Sequence, residues 1–89
     1  MEPFKKYSVF GREFVIPSDY SNKHRREVSA LLNSPGEVMW LDRPELVNSL
    51  MRLILKGDHE GIDWDEAPTA LLHEAVTSFF QSFVPKTSE

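Results

Sequence analysis

Asp42-Arg43-Pro44-Glu45-Leu46-Val47-Asn48-Ser49-Leu50-Met51-Arg52-Leu53-Ile54 and Asp65-Glu66-Ala67-Pro68-Thr69-Ala70-Leu71-Leu72-His73-Glu74-Ala75-Val76-Thr77-Ser78-Phe79-Phe80 are the stretches that decide the fold. In each, apolar residues recur at three- and four-residue steps, which places them on one side of an α-helix. Asp42 and Asp65 suit the positions before the first turn, where a side-chain oxygen can accept an orphan backbone N–H. Pro44 and Pro68 stand early enough to be tolerated. Lys56-Gly57 reads as the end of the first helix, a cation followed by a left-handed terminator. Pro85 stops the second, and residues 86–89 read as a frayed tail.

Working towards the N-terminus, Glu37-Val38-Met39-Trp40-Leu41 is β-prone and too short for a helix before Pro44. A third strand is expected there. Lys6 to Pro17 places aromatic and β-branched residues on both sides of Gly11-Arg12, which suggests a hairpin with that pair at the turn centre. Tyr7, Val9, Phe14 and Ile16 would share one face, with Phe10 and Val15 on the other, and Pro17 would end the second strand. A helix from Asp19 to Leu32 would dock through Val28, Ala30, Leu31 and Leu32. Asn33-Ser34-Pro35-Gly36 then breaks the chain. The expected order is β-β-α-β-α-α, a small α+β domain spanning residues 1–89.

The chain has 89 residues, a formal charge of −4 and no cysteine. One domain is expected, near the lower end of what folds alone. Without cysteine there is neither a disulfide framework nor a thiolate metal site, and a reducing, cytoplasmic setting is expected. Residues 1–44 hold seven Lys or Arg against six Asp or Glu, whereas residues 45–89 hold three against eight. An acidic second half disfavours a broad phosphate-binding face, because nucleic-acid affinity comes largely from cationic contacts. Lys23-His24-Arg25-Arg26, with Lys5, Lys6 and Arg12, is the one possible basic patch; a solvated helix face is the simpler reading. No run is long and apolar enough to span a bilayer, since Asn48, Ser49 and Arg52 interrupt Leu46 to Leu55.

No catalytic signature stands out. None of the serines lies in a Gly-x-Ser-x-Gly turn, and the four glycines do not form a phosphate-cradling loop. His24, His59 and His73 are too scattered for a zinc pair, and His73-Glu74 lacks the second histidine of His-Glu-x-x-His. Asp58, Glu60, Asp63, Asp65 and Glu66 crowd the segment between the long helices. Their register does not match a calcium loop, so helix capping and solvation are expected first and docking of a basic partner second. No metal, cofactor or catalytic residue is assigned. A small-molecule pocket around Trp40, Trp64 and His59 is a weaker alternative.

The apolar content is what asks for a partner. Phe79 and Phe80 point about 100° apart on a helix, and Leu53, Ile54 and Leu55 follow one another. Burying all of them calls for more than one contacting surface. Met51, Leu55, Trp64, Phe79, Phe80 and Phe83 are therefore expected at an interface, with a homodimer the favoured arrangement.

Residues 37–83 also resemble the ribbon-helix-helix family of dimeric DNA-binding repressors and antitoxins. The matching pieces are Val38-Met39-Trp40-Leu41, Pro44-Glu45-Leu46-Val47 and Ala70-Leu71-Leu72-His73-Glu74-Ala75-Val76-Thr77-Ser78-Phe79-Phe80, about half of the chain. The resemblance implies a dimeric DNA-binding regulator. The strand here lacks the family's polar and basic reading residues, and the connector is longer and more acidic than the family's tight turn, so no DNA-contacting residue is carried over. The leading expectation remains a small non-enzymatic, self-associating regulator or accessory factor that binds another protein through a helical surface and an acidic loop.

Overall fold

The computed structural model describes residues 3–33 and 39–83. It is a mixed α+β arrangement in the order β1 (Lys5–Val9), β2 (Arg12–Ile16), α1 (Asn22–Leu32), α2 (Pro44–Ile54) and α3 (Thr69–Gln81). Short 3-10 turns, Trp40–Asp42 and Trp64–Glu66, precede α2 and α3.

The strands pair antiparallel, with Val9 opposite Arg12, Tyr7 opposite Phe14 and Lys5 opposite Ile16. Tyr7, Phe14 and Ile16 are buried and Val9 is half-buried, all on the face expected from the alternation. The turn centre differs from the expected Gly11-Arg12: it is Phe10-Gly11, with φ of 57° and 70°. Positive φ at both central residues is the type I′ pattern, whose twist matches that of the strands. A centre at Gly11-Arg12 would have kept the same residues on the core face, so alternation alone does not choose between the registers. In the observed register Phe10 stands at the tip and its ring packs against that of Trp64, at 5.6 Å and 78°.

Helix α2 is the central element and packs against α1, α3 and both 3-10 turns. Leu46, Val47, Leu50, Met51 and Ile54 form its buried stripe, while Glu45, Ser49 and Arg52 stay exposed. Each fully buried aliphatic side chain stabilises the fold by roughly 1.5–3 kcal/mol relative to exposure. Around this stripe lie Phe14, Ile16, Val28, Trp64, Leu72, Ala75 and Phe79. Helix α1 starts later than expected, at Asn22, where the Ser21 side chain accepts the His24 backbone N–H at 3.1 Å. Its buried residue is Val28, with Leu31 and Leu32 half-buried, so these three dock as expected, whereas Ala30 is exposed and takes no part.

The third strand is corrected. Trp40 and Leu41 belong to a 3-10 turn and Met39 is extended but unpaired with the sheet, while Glu37 and Val38 lie outside the described residues. The break at residues 34–36 and the stop and tail at residues 85–89 lie outside them as well. A single bridge extends the β1–β2 hairpin instead: Val15 and Lys56 exchange both backbone hydrogen bonds, at 3.0 and 2.8 Å. That bridge also shortens α2. The helix stops at Ile54 and Leu55 turns extended, which lets Lys56 reach the sheet and lets Leu55 enter the core. Gly57 is required next, because a Cβ there would stand 2.9 Å from Cε1 of Phe14 and 3.0 Å from the Glu13 carbonyl.

The caps of the two long helices shift by a few residues. Arg43, whose side chain makes no capping bond, occupies the position expected for Asp42. Pro68, with no side-chain bond, takes the cap position of α3 expected for Asp65, and Asp63 instead caps the 3-10 turn ahead of it.

Candidate functional site

Three carbonyls at the end of α2 would be orphans in an isolated helix. Each receives a ring donor from elsewhere. Leu53 accepts from His24 Nε2, Ile54 from the Tyr20 hydroxyl at 2.8 Å, and Leu55 from His59 Nε2 at 2.8 Å. Carbonyls only accept, so both histidines carry a proton on Nε2. His59 Nδ1 then accepts from Trp64 Nε1 at 3.1 Å, which fits the same tautomer. Tyr20 stacks on His24 with centroids 4.0 Å apart, and burial pushes its phenol pKa up to about 12, with Asp19 adding to the rise. Two of the three histidines are thus committed to finishing a helix. Among the described residues no three His, Cys, Asp or Glu side chains converge as metal ligands.

The connector beyond Leu55 is tied down from two sides. Arg12, at the start of β2, donates from Nη1 to the carbonyls of Asp58 and Glu60 at 2.9 and 2.7 Å, with the Asp58 carboxylate 3.7 Å away. From α2, Asn48 donates to the Pro44 carbonyl and to Asp63 Oδ1, at 3.0 and 2.9 Å, and accepts the Trp64 backbone N–H at 2.8 Å. Asp63 Oδ1 also accepts the Asp65 N–H at 3.1 Å. The Asn48 bond first, and then the Asp65 amide, hold the Asp63 carboxyl below its usual range. Asp58 accepts the Glu60 N–H at 3.1 Å. Two of the five connector acids therefore shape the loop. The carboxylates of Glu60, Asp65 and Glu66 are exposed and make no bond to a described residue.

Where hairpin tip and connector meet, an open depression of about 430 Å³ is lined by Phe10, Arg12, Gly61, Ile62, Asp63 and Glu66. Phe10 is one of its walls, 43 % exposed although its ring packs against that of Trp64. A bulky side chain in the left-handed region is uncommon and costs on the order of 1–3 kcal/mol. Alternation in the sequence places Phe10 on an outer strand face; the available signal for its position at the tip was a bulky residue just before a turn glycine.

The expected interface is largely corrected. Met51, Leu55, Trp64 and Phe79 are at most 1 % exposed, taken up by the chain's own core. Phe80 and Phe83 are half-buried, packed edge-on against Phe79 at 5.2 and 5.1 Å. The second surface that the Phe79–Phe80 pair asked for is supplied partly by α1 and its approach, since Tyr20 and His24 lie 5.6 and 5.9 Å from Phe79. The pocket expected around Trp40, Trp64 and His59 is corrected too. Trp64 packs against both Phe14 and His59, which also touch each other, while Trp40 packs elsewhere, against His73.

Three residues of the expected basic patch have partners within the chain. Arg12 holds the connector, Lys5 lies 3.6 Å from Glu74, and Arg25 donates to Asn22. No helix among the described residues is long and apolar enough to cross a membrane. No protein-family model matches the chain, and neither a curated protein nor a solved structure matches it significantly.

Proposed function

We propose that the protein is a non-catalytic protein-binding module, a regulator or accessory factor, whose contact face is the hairpin tip together with the acidic connector. The observation that carries this reading is Phe10: an exposed aromatic, held in a costly backbone conformation, lining one depression with Glu66, a carboxylate that makes no bond to a described residue. Conserving stability would favour Asn or Gly at that turn position. Aromatic residues are enriched at protein interfaces, where a few such anchors carry much of the binding energy. The loop behind it is fixed by Arg12 and Asn48, so little ordering cost remains on binding.

The reading leans less on self-association than the sequence did, because four of the six expected interface residues lie in the core. Photo-crosslinking in the source cell tests it, with the reactive amino acid placed at Phe10, Glu66, Phe80 or Lys23 in turn. The expected result is one protein captured from Phe10 and Glu66, which binds again when purified and binds Phe10→Gly at least about tenfold more weakly, as for a mid-strength interface anchor. Capture only from Phe80, or only of a second copy of this chain, would move the contact face to α3.

A further inference from the structure

The depression at the hairpin tip has a chemistry that selects its occupant, granted that the tip is the contact face. Its wall is the free part of the Phe10 ring, its apolar lining includes Ile62, and its charged groups are Arg12, Asp63 and Glu66. Arg12 is already engaged, with Nη1 bonded to two carbonyls and the Asp58 carboxylate within ion-pair distance. Asp63 uses Oδ1 for both of its bonds, and Glu66 makes none with its side chain among the described residues. The unspent charge in the depression is therefore negative and lies beside an aromatic ring. It sits in the half of the chain that holds eight acids against three bases.

From this complementarity we infer that the depression takes an arginine side chain presented by the partner polypeptide, its guanidinium against Phe10 and its N–H groups towards Glu66 and Asp63. A planar guanidinium stacks on an aromatic face while its edge donors reach carboxylates, which the compact ammonium of lysine does less well. The opening to solvent leaves room for the flanking peptide, and the glycine at position 61 keeps the entrance free of a side chain.

The test uses the full chain and amide nitrogen–proton NMR correlation spectra. It is titrated with acetyl-Gly-Arg-Gly-amide and with the same peptide carrying citrulline, which keeps the shape of arginine and removes its charge. Expected are shifts at residues 10–12 and 61–66 in the millimolar range, with citrulline weaker by about fivefold, the equivalent of one exposed cation–π contact. Glu66→Gln should weaken the arginine peptide by about threefold, in line with one exposed ion pair. Phe10→Gly should abolish the shifts while the turn persists, because glycine adopts the same positive φ.

Equal binding of the citrulline peptide would overturn the charge inference and leave the protein-binding face standing. Shifts elsewhere, or none, would overturn the arginine site, and the crosslinks from Phe10 would still decide the face. Binding indifferent to Glu66→Gln and Phe10→Gly would overturn the proposed placement of the guanidinium between ring and carboxylates.

Discussion

The two ends of helix α2 are finished in opposite ways. At its N-terminus, Arg43 caps without a side-chain bond, Pro44 dispenses with one N–H, and Arg43 pairs with Glu45 at 3.1 Å in contact with solvent. At its C-terminus, His24, Tyr20 and His59 each bring a donor to successive carbonyls, and Lys56 leaves to pair with β2. The difference is one of water. A helix end that remains wet can leave its backbone groups to solvent, whereas an end buried under rings must import partners or lose about 1–3 kcal/mol per orphan group. The buried end is also where the connector begins, so these bonds support the face proposed for binding.

Substitutions can break this comparison, and the largest effect is expected at Trp64. Trp64→Ala empties a fully buried site beside Phe14 and His59, and should cost about 3–5 kcal/mol in urea denaturation; a loss no larger than that of a surface change would deny the buried end its importance. His59→Ala comes next. It leaves Trp64 Nε1 and the Leu55 carbonyl without partners, for an expected loss of about 1–3 kcal/mol.

Tyr20→Phe keeps the stack on His24 and removes only the bond to Ile54, so about 1 kcal/mol is expected. The same residue gives a pH test. Its folded pKa, about 12, lies above the ordinary 10.0, so folding favours the neutral phenol. Its contribution is complete below pH 10 and is lost as pH rises from there through about 12. Wild type should therefore lose more stability over that range than Tyr20→Phe, read by denaturation in alkaline buffers. Smallest of all, Arg43→Ala at the wet end should change stability by less than about 0.5 kcal/mol. A larger loss there would erase the contrast.

Periodicity located α2 and α3, and alternation chose the core face of the hairpin, because both depend on local spacing. The α+β class followed from those alone. Other features depended on residues distant in the chain. The expected strand at Glu37 to Leu41 rested on β-propensity, which is decided by available pairing neighbours; the described part of it, Met39 to Leu41, makes no sheet pairing. The acidic connector was visible as composition, but which acids shape it and which remain free depended on Arg12 and Asn48, reaching in from other elements.

What the sequence determined by itself was therefore the class of fold, the positions of its long helices and the sign of charge on its connector. Tertiary structure decided where α2 ends, which register the hairpin takes and that Phe79 and Trp64 lie inside while Phe10 lies outside. The reason is physical: spacing along the chain specifies a face, but only the partner packed against that face specifies what is left for solvent.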